Sequence, residues 1–289
     1  MAPSLFTEYR EQLHQTICCD ILGRRSAGHL SNADSGSRTS KTIADGIAER
    51  MGFPLCENIP PGQQAGKRFE DAVRDYLRSA FGALNHLRPG QWIYETGKDM
   101  SSSIGAFDQY EHLESVAEAL HKNPELKASL GGDYLVTPDV IVGRVPVPDS
   151  TINEDEQVLK TDLLDEAGST PLREANNPRH PILHATISCK WTIRSGRSQN
   201  SRTEALNLIR NRKGKTPHIA VVTAEPMPTR LASIAMGTGD IDCTYHMALR
   251  ELIDTVEEME NEDQLGMLNL LIDGRRLRDI SDLPFDLAT

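Results

Sequence analysis

A strand that runs into a basic turn and then a helix sets the frame for this chain. Residues Leu183 to Trp191 alternate and are rich in β-formers, which predicts a strand. With period two, Ile187, Cys189 and Trp191 share one face, and Thr186, Ser188 and Lys190 share the other. Arg194-Ser195-Gly196-Arg197 reads as a short loop. A helix from about Asn200 then carries Ala205, Leu208 and Ile209 as its apolar stripe. Of the 31 lysines and arginines in the chain, eight fall between Lys190 and Lys215, against one of its 42 acids, Glu204.

That imbalance matters because the net charge is −11, which taken alone argues against nucleic acid as a partner. Contacts to phosphate are local, so an acidic body with one basic strip keeps nucleic acid open. On charge alone, a solvated basic helix is the favoured reading of the strip. Other classes are easier to set aside. The 38% hydrophobic and 25% charged residues fit a soluble globular protein. No apolar run approaches the roughly 20 residues of a membrane span. MAPSLFTEYREQL turns polar too soon for a signal peptide, so a cytoplasmic protein is expected. Cys18, Cys19, Cys56, Cys189 and Cys243 form no C-x-x-C pair, which predicts reduced thiols rather than disulfides or a zinc site. There is no P-loop, GxGxxG or Gly-x-Ser-x-Gly element.

Along the chain, Phe6, Tyr9, Leu13 and Ile17 are spaced as a first helix. A polar loop from Ser26 to Ser40 precedes a short helix from Thr42 to about Met51. NIPPGQQAG leads into a strong helix from about Lys67 to Leu87. On it Glu70, Val73, Leu77 and Phe81 make one stripe. A carboxylate there either finds a partner or snorkels to water. Trp92–Glu95 reads as a strand, and Gln109–Leu120 and Glu125–Leu130 as helices. Asp133–Val145 reads as a strand interrupted at Pro138, which suggests an edge or a bulge. Asp139 follows that break; the plain reading is a turn residue. Residues 145–181 are acidic, proline-punctuated and weakly periodic, a long excursion between core strands. His218–Thr223 has the β-branched run of a buried strand. Thr229–Met236 follows as a short helix, Ile241–Tyr245 as a strand, and Met247–Met259 and Gln264–Ile272 as helices. Strands alternating with helices predict an α/β protein. Its sheet is expected to be central, mixed and flanked by helices, in one domain over 1–289.

Three residues join into a chemistry. Pro138-Asp139 ends one segment, Lys190 sits on a strand, and Glu204 lies on the following helix. Cleavage of a phosphodiester needs carboxylates to hold Mg²⁺ and a lysine to orient or deprotonate water. In the pattern PD…(D/E)xK, acid and lysine sit two apart and so share a strand face. Here Ser188 occupies the acid's place, and Glu204 is placed to supply the missing carboxylate.

PD, then K, thirteen residues, then E resembles the displaced-acid variant of type II restriction endonucleases that cut around a CCGG core. Lys190-x3-Arg194-Ser195-x-Arg197 resembles their K-x3-RSDR recognition element. The likeness extends over nearly the whole chain. It takes in Ser31-Asn32-Ala33-Asp34, Pro61-Gly62-Gln63, Phe69-Glu70, Thr137-Pro138-Asp139, ISCKWTIRS, NLIRNRKGK, VVTAEP, Gly237-Thr238-Gly239 and DISDLP. The resemblance implies a restriction-endonuclease-like PD-(D/E)XK core, with Mg²⁺ bound by Asp139 and the main-chain carbonyl of Cys189. It implies Lys190 as the catalytic lysine, Glu70 and Glu204 as further active-site carboxylates, and Ser188 at the vacated acid position. Arg194 and Arg197, with Ser195 between them, match the element that reads guanines in the major groove. Gln63 matches a minor-groove contact, and Asp34 and Arg230 match residues near the outer base pair. The implied partner is double-stranded DNA bearing GCCGGC, cut after the first G to leave four-base 5′ overhangs. The implied assembly is a homotetramer, a dimer of dimers, working beside a cognate DNA methyltransferase. Gly196 departs from the family, whose members carry Asp there. A repair or junction nuclease of the same fold and a DNA-binding protein without cleavage are the other readings.

Overall fold

The computed structural model describes residues 3–97, 104–125, 128, 136–160, 167–193 and 195–289; Ala117 and residues 195–198 are described by backbone alone. The core is a six-stranded sheet in the order β1 to β6. β1 (Trp92–Thr96), β2 (Val140–Arg144) and β3 (Ile182–Lys190) form an antiparallel meander. β4 (His218–Thr223), β5 (Cys243–His246) and β6 (Leu277–Asp279) continue parallel to β3. The sheet is mixed, as the alternation of elements predicts. Its parallel half needs crossovers, and helices supply them. These are α5 (Ser195–Asn211) between β3 and β4, α6 (Pro228–Ala235) between β4 and β5, and α7 (Leu249–Glu258) with α8 (Glu262–Asp273) before β6.

Four expectations shift. The helix after β3 starts at Ser195, not near Asn200, so Ser195-Gly196-Arg197 form its first turn. The second helix, α2, runs Arg38–Met51, starting earlier because Ser37 caps it by accepting the Ser40 N–H at 3.2 Å. The third, α3, covers Gly62–Ala83, which places Gln63 in its exposed first turn. Among the described residues Pro138 lies before the strand rather than within it: β2 begins at Val140, runs inside the sheet between β1 and β3, and has its irregularity as a register shift at Val142/Gly143. The predicted helix Glu125–Leu130 lies largely outside the described residues. Helix α4 (His112–Lys122) overlaps the predicted Gln109–Leu120 helix but starts later and ends beyond it.

α1 (Leu5–Asp20) packs on α3, and α3 covers β1, β2 and β3. Phe69 of α3 is fully buried and meets Trp191 edge-on, ring centroids 5.4 Å apart. This contact fixes the helix register over the end of β3, and truncating Phe69 would cost roughly 3–5 kcal/mol. On the opposite face, Ala205 and Leu208 of α5 are buried. Within the 145–181 excursion, Arg173 is wholly buried and grips Asp149 through two bonds of 2.6 and 2.7 Å. A weakly periodic sequence is thereby tied to one buried cation. All five cysteines are free, and no helix among the described residues is long and apolar enough to cross a membrane.

Arg10 binds Glu251 and Asp279 at 2.6–3.0 Å, tying α1 to α7 and to the end of β6. Burial pushes both carboxyls up, but the Arg10 hydrogen bonds outweigh it and both end below their ordinary range. A depressed folded-state value stabilises the protein above the unfolded-state value and loses that contribution as pH falls. Arg10→Met should therefore lower stability by roughly 2–3 kcal/mol near neutrality, less than for a fully sealed pair. The loss should shrink as pH falls through 4. Thermal melts of parent and variant from pH 3 to 7 measure the convergence; a constant gap would mean the pairs are screened out.

Candidate active site

The site forms where β2 begins and β3 ends. Val140 pairs with Ile187, so Asp139 stands one step beyond, opposite Ser188. Gly97 lets β1 end there: a Cβ at this position would meet the Pro138 carbonyl at 2.7 Å. The Asp139 carboxylate turns one oxygen to β3. Oδ2 accepts from the Cys189 N–H at 2.7 Å, from Lys190 Nζ at 3.0 Å and from Ser188 Oγ at 3.4 Å. No hydrogen bond among the described residues goes to Oδ1, and the side chain is about a quarter exposed. Half of the carboxylate is fastened and half is left for a ligand.

Ser188 has one proton, and the structure gives it to Asp139. The 3.2 Å contact with Ser201 Oγ is then one in which Ser201 donates. Ser201 comes from α5, three residues before Glu204 and so on the same helix face. Glu204 and Ser201 line a small cavity with Thr186 and Ser188, which brings the helix carboxylate beside the strand position two before Lys190. Burial raises the Glu204 carboxyl, Lys190 lowers it, and Asp139 raises it further.

Glu70 approaches from α3, next to the buried Phe69. Burial and then the neighbouring Asp139 push its carboxyl up to about 7. Lys67, which bonds Asp71 and Thr96 Oγ1, draws it partly back. A site that holds carboxyls at raised proton affinity gains from a cation. Among the described residues no three His, Cys, Asp or Glu side chains converge into a ready-made metal cage. Mg²⁺ does not require one: it binds through one or two carboxylates and keeps waters. The free Oδ1 of Asp139 and the raised carboxyls of Glu70 and Glu204 fit that demand. Burial lifts the Cys189 thiol well above its usual range, so Cys189 offers a cation its main-chain carbonyl rather than a thiolate.

The remaining sequence candidates divide. Arg194 lies outside the described residues, and the side chains of Ser195 and Arg197 do too. Asp34 and Arg230 are brought together as an ion pair from distant parts of the chain. Gln63 is exposed at the start of α3 and remains apart from them. The basic strip is not one face. Arg202 pairs with Asp240 at 2.6 Å and packs against Gly237, whose φ of 101° and lack of a Cβ allow the approach. Arg212 turns to the Ile209 carbonyl, and Lys213 pairs with Glu111. Sequence reading missed Ser201, Lys67 and Glu225, the last a fully buried glutamate at the end of β4. Only Glu225, an acid ending an apolar strand in VVTAEP, left a trace in the pattern. A larger crevice, around Arg10 and Phe285, lies away from all these residues.

A carboxylate and a lysine meeting at the ends of two antiparallel inner strands of a mixed sheet, with further acids on the flanking helices, define the class of PD-(D/E)XK-like nucleases. Comparison narrows the class. The family model described as NgoMIV restriction enzyme matches residues 13–289. The type II restriction enzyme NgoMIV of Neisseria gonorrhoeae is 46% identical over 286 residues, 98% of this chain and 99% of that protein. Among solved structures, a complex of the restriction endonuclease PspGI with substrate DNA shows a TM-score of 0.36 at 16% identity, over 78% of this chain and 60% of the other. The chain belongs to the NgoMIV restriction enzyme family, a family of type II restriction endonucleases.

Proposed function

We propose that this protein cuts both strands of double-stranded DNA at a palindrome with a CCGG core. The site is GCCGGC, cut after the first G to leave four-base 5′ overhangs, in a Mg²⁺-dependent reaction. The observation that carries the reading is the Asp139 carboxylate, held through one oxygen by Lys190 and the β3 backbone, with the other oxygen bonded to none of the described residues. Asp139 and the Cys189 carbonyl would hold Mg²⁺, with Glu70 and Glu204 nearby. Bound there, the ion supplies positive charge to the phosphate as negative charge develops. Lys190 orients the attacking water and shares its proton. Ser188 and Ser201 bridge β3 to α5 and keep Glu204 turned to the site.

Arg194 and Arg197 read guanines through N7 and O6, Gln63 touches the minor groove, and Asp34 with Arg230 addresses the outer base pair. One domain spans the chain, in cytoplasmic homotetramers built as dimers of dimers, since a palindrome mirrors a twofold protein. A cognate methyltransferase protects the host's own sites. Incubating the enzyme with a sequenced plasmid and Mg²⁺, then mapping the ends, tests the whole reading. Discrete fragments ending at GCCGGC support it. Structure-dependent nicks would instead indicate a repair or junction nuclease, and intact plasmid a protein that only binds.

Gly196 tests the reading of cytosine. The family's Asp at this position accepts from cytosine N4, a contact worth roughly 1–3 kcal/mol of discrimination. Here the first turn of α5 carries glycine instead. Gly196→Asp should sharpen discrimination against substitutions at the cytosines of the core, measured as cleavage rates on single-base variants. A parent that already discriminates as sharply would mean the contact is compensated.

A further inference from the structure

The end of β4 fastens the segments that lead to Arg194, Arg230 and Asp34, three of the proposed DNA-reading residues. Glu225, directly after Ala224, is fully buried and therefore touches neither water nor DNA. Its carboxylate divides between two segments. Oε2 accepts the Ile193 N–H at 2.8 Å, one residue before Arg194. Oε1 accepts the Met227 N–H at 3.2 Å, at the start of α6 and three residues before Arg230. Beside it, the Ala224 carbonyl accepts from the Asn32 side chain at 2.9 Å, two residues before Asp34. The hub is itself anchored to the catalytic strand. The Ala224 N–H and Thr223 Oγ1 both bond the Lys190 carbonyl, at 3.1 and 2.8 Å. His246 Nε2 donates to the Glu225 carbonyl at 3.1 Å.

A buried carboxylate with no cation bonded to it among the described residues is an expensive way to close a loop. An apolar residue of the same size would leave two N–H groups without acceptors, and glutamine would place an N–H₂ against one of them. Two acceptor oxygens on one rigid group are what holds Ile193 and Met227 at a fixed separation. The separation matters because Arg194 and Arg230 lie on different segments and the paired bases lie at fixed spacing.

We propose that Glu225 is a positioning residue for sequence reading. Its carboxylate sets the segment before Arg194 and the start of α6 in register with the strand that bears Lys190, while Asn32 docks the Asp34 segment on the same strand end. This rests on the assignment of base reading to Arg194, Arg197, Asp34 and Arg230 under the proposed function.

The test compares the full-length parent with Glu225→Gln, and with Arg194→Ala run alongside. Cleavage rates with Mg²⁺ are measured on a GCCGGC duplex and on each single-base variant, with thermal melts and binding to a duplex lacking the site. The expected result is a folded Glu225→Gln protein that binds site-free DNA as the parent does. Its ratio of cognate to variant cleavage should fall at least about tenfold. A ratio unchanged while all rates fall together, or an unchanged enzyme, overturns the proposal. Should Glu225→Gln fail to fold, Asn32→Leu in the same assay decides. A reduced ratio at the outer base pair supports the hub, and a parental ratio overturns it. If Arg194→Ala leaves the ratio untouched, the recognition assignment itself fails and the proposal falls with it. If Arg194→Ala collapses the ratio and the Glu225 variant does not, the hub alone is wrong.

Discussion

Asp139→Ala and Lys190→Ala are each expected to lower the single-turnover cleavage rate at least roughly a thousandfold, because each removes charge from the point where charge develops. Specific DNA binding should survive both changes, since base contacts are assigned to other segments. The two variants should differ in a second respect. Asp139 holds Lys190 at 3.0 Å and the Cys189 N–H at 2.7 Å, so its removal frees both donors as well as the proposed metal ligand. Lys190→Ala leaves the Asp139 carboxylate with the Cys189 N–H and Ser188 and should still bind Mg²⁺ in the complex with DNA. Titrating Mn²⁺ or Mg²⁺ against each protein–DNA complex separates them: saturable metal binding retained in the lysine variant and lost in the aspartate variant. Cleavage by Asp139→Ala at the parental rate would remove the basis for this active site.

The strand that organises the site is legible because its signal is local. Alternation from Leu183 to Trp191 identifies β3 and sorts Ser188 and Lys190 from Cys189 and Trp191, and β3 spans Ile182–Lys190. Helix starts are less legible. Arg194-Ser195-Gly196-Arg197 is polar and carries a glycine, and apolar spacing begins only at Ala205. A first turn whose sequence holds no apolar residue gives periodicity nothing to register. β6 has three residues, too few for any pattern, and takes its place by pairing with β5. The acids tell the same story at the level of side chains. Asp139 and Glu204 stand out because their neighbours are apolar or basic. Ser201 and Glu225 acquire their roles only when α5 and β4 are brought beside β3. The pairing of Asp34 with Arg230 joins residues 196 positions apart, which no local spacing encodes.

The largest test of the displaced acid is a two-step substitution. Glu204→Ala should lower cleavage roughly a hundredfold or more, as loss of one preorganised group at a reacting centre does. Ser188→Glu placed on that background should recover part of the loss, because it returns a carboxylate to the strand position two before Lys190. The geometry sets limits on the recovery. Ser188 Oγ lies 3.4 Å from Asp139 Oδ2, and Ser201 Oγ lies 3.2 Å from Ser188. A glutamate at 188, a position that lines the same cavity as Glu204, brings a second carboxylate toward Asp139. Two carboxylates so close repel unless a cation lies between them. Rescue should therefore depend steeply on metal concentration, and Mn²⁺, which binds such ligands more tightly than the alkaline-earth ions, should support it at lower concentration. The readout is single-turnover cleavage of a cognate duplex across a titration of each metal. No recovery in either metal, by a double variant whose melting temperature matches that of Glu204→Ala, would mean that Glu204 does not stand in for the strand acid.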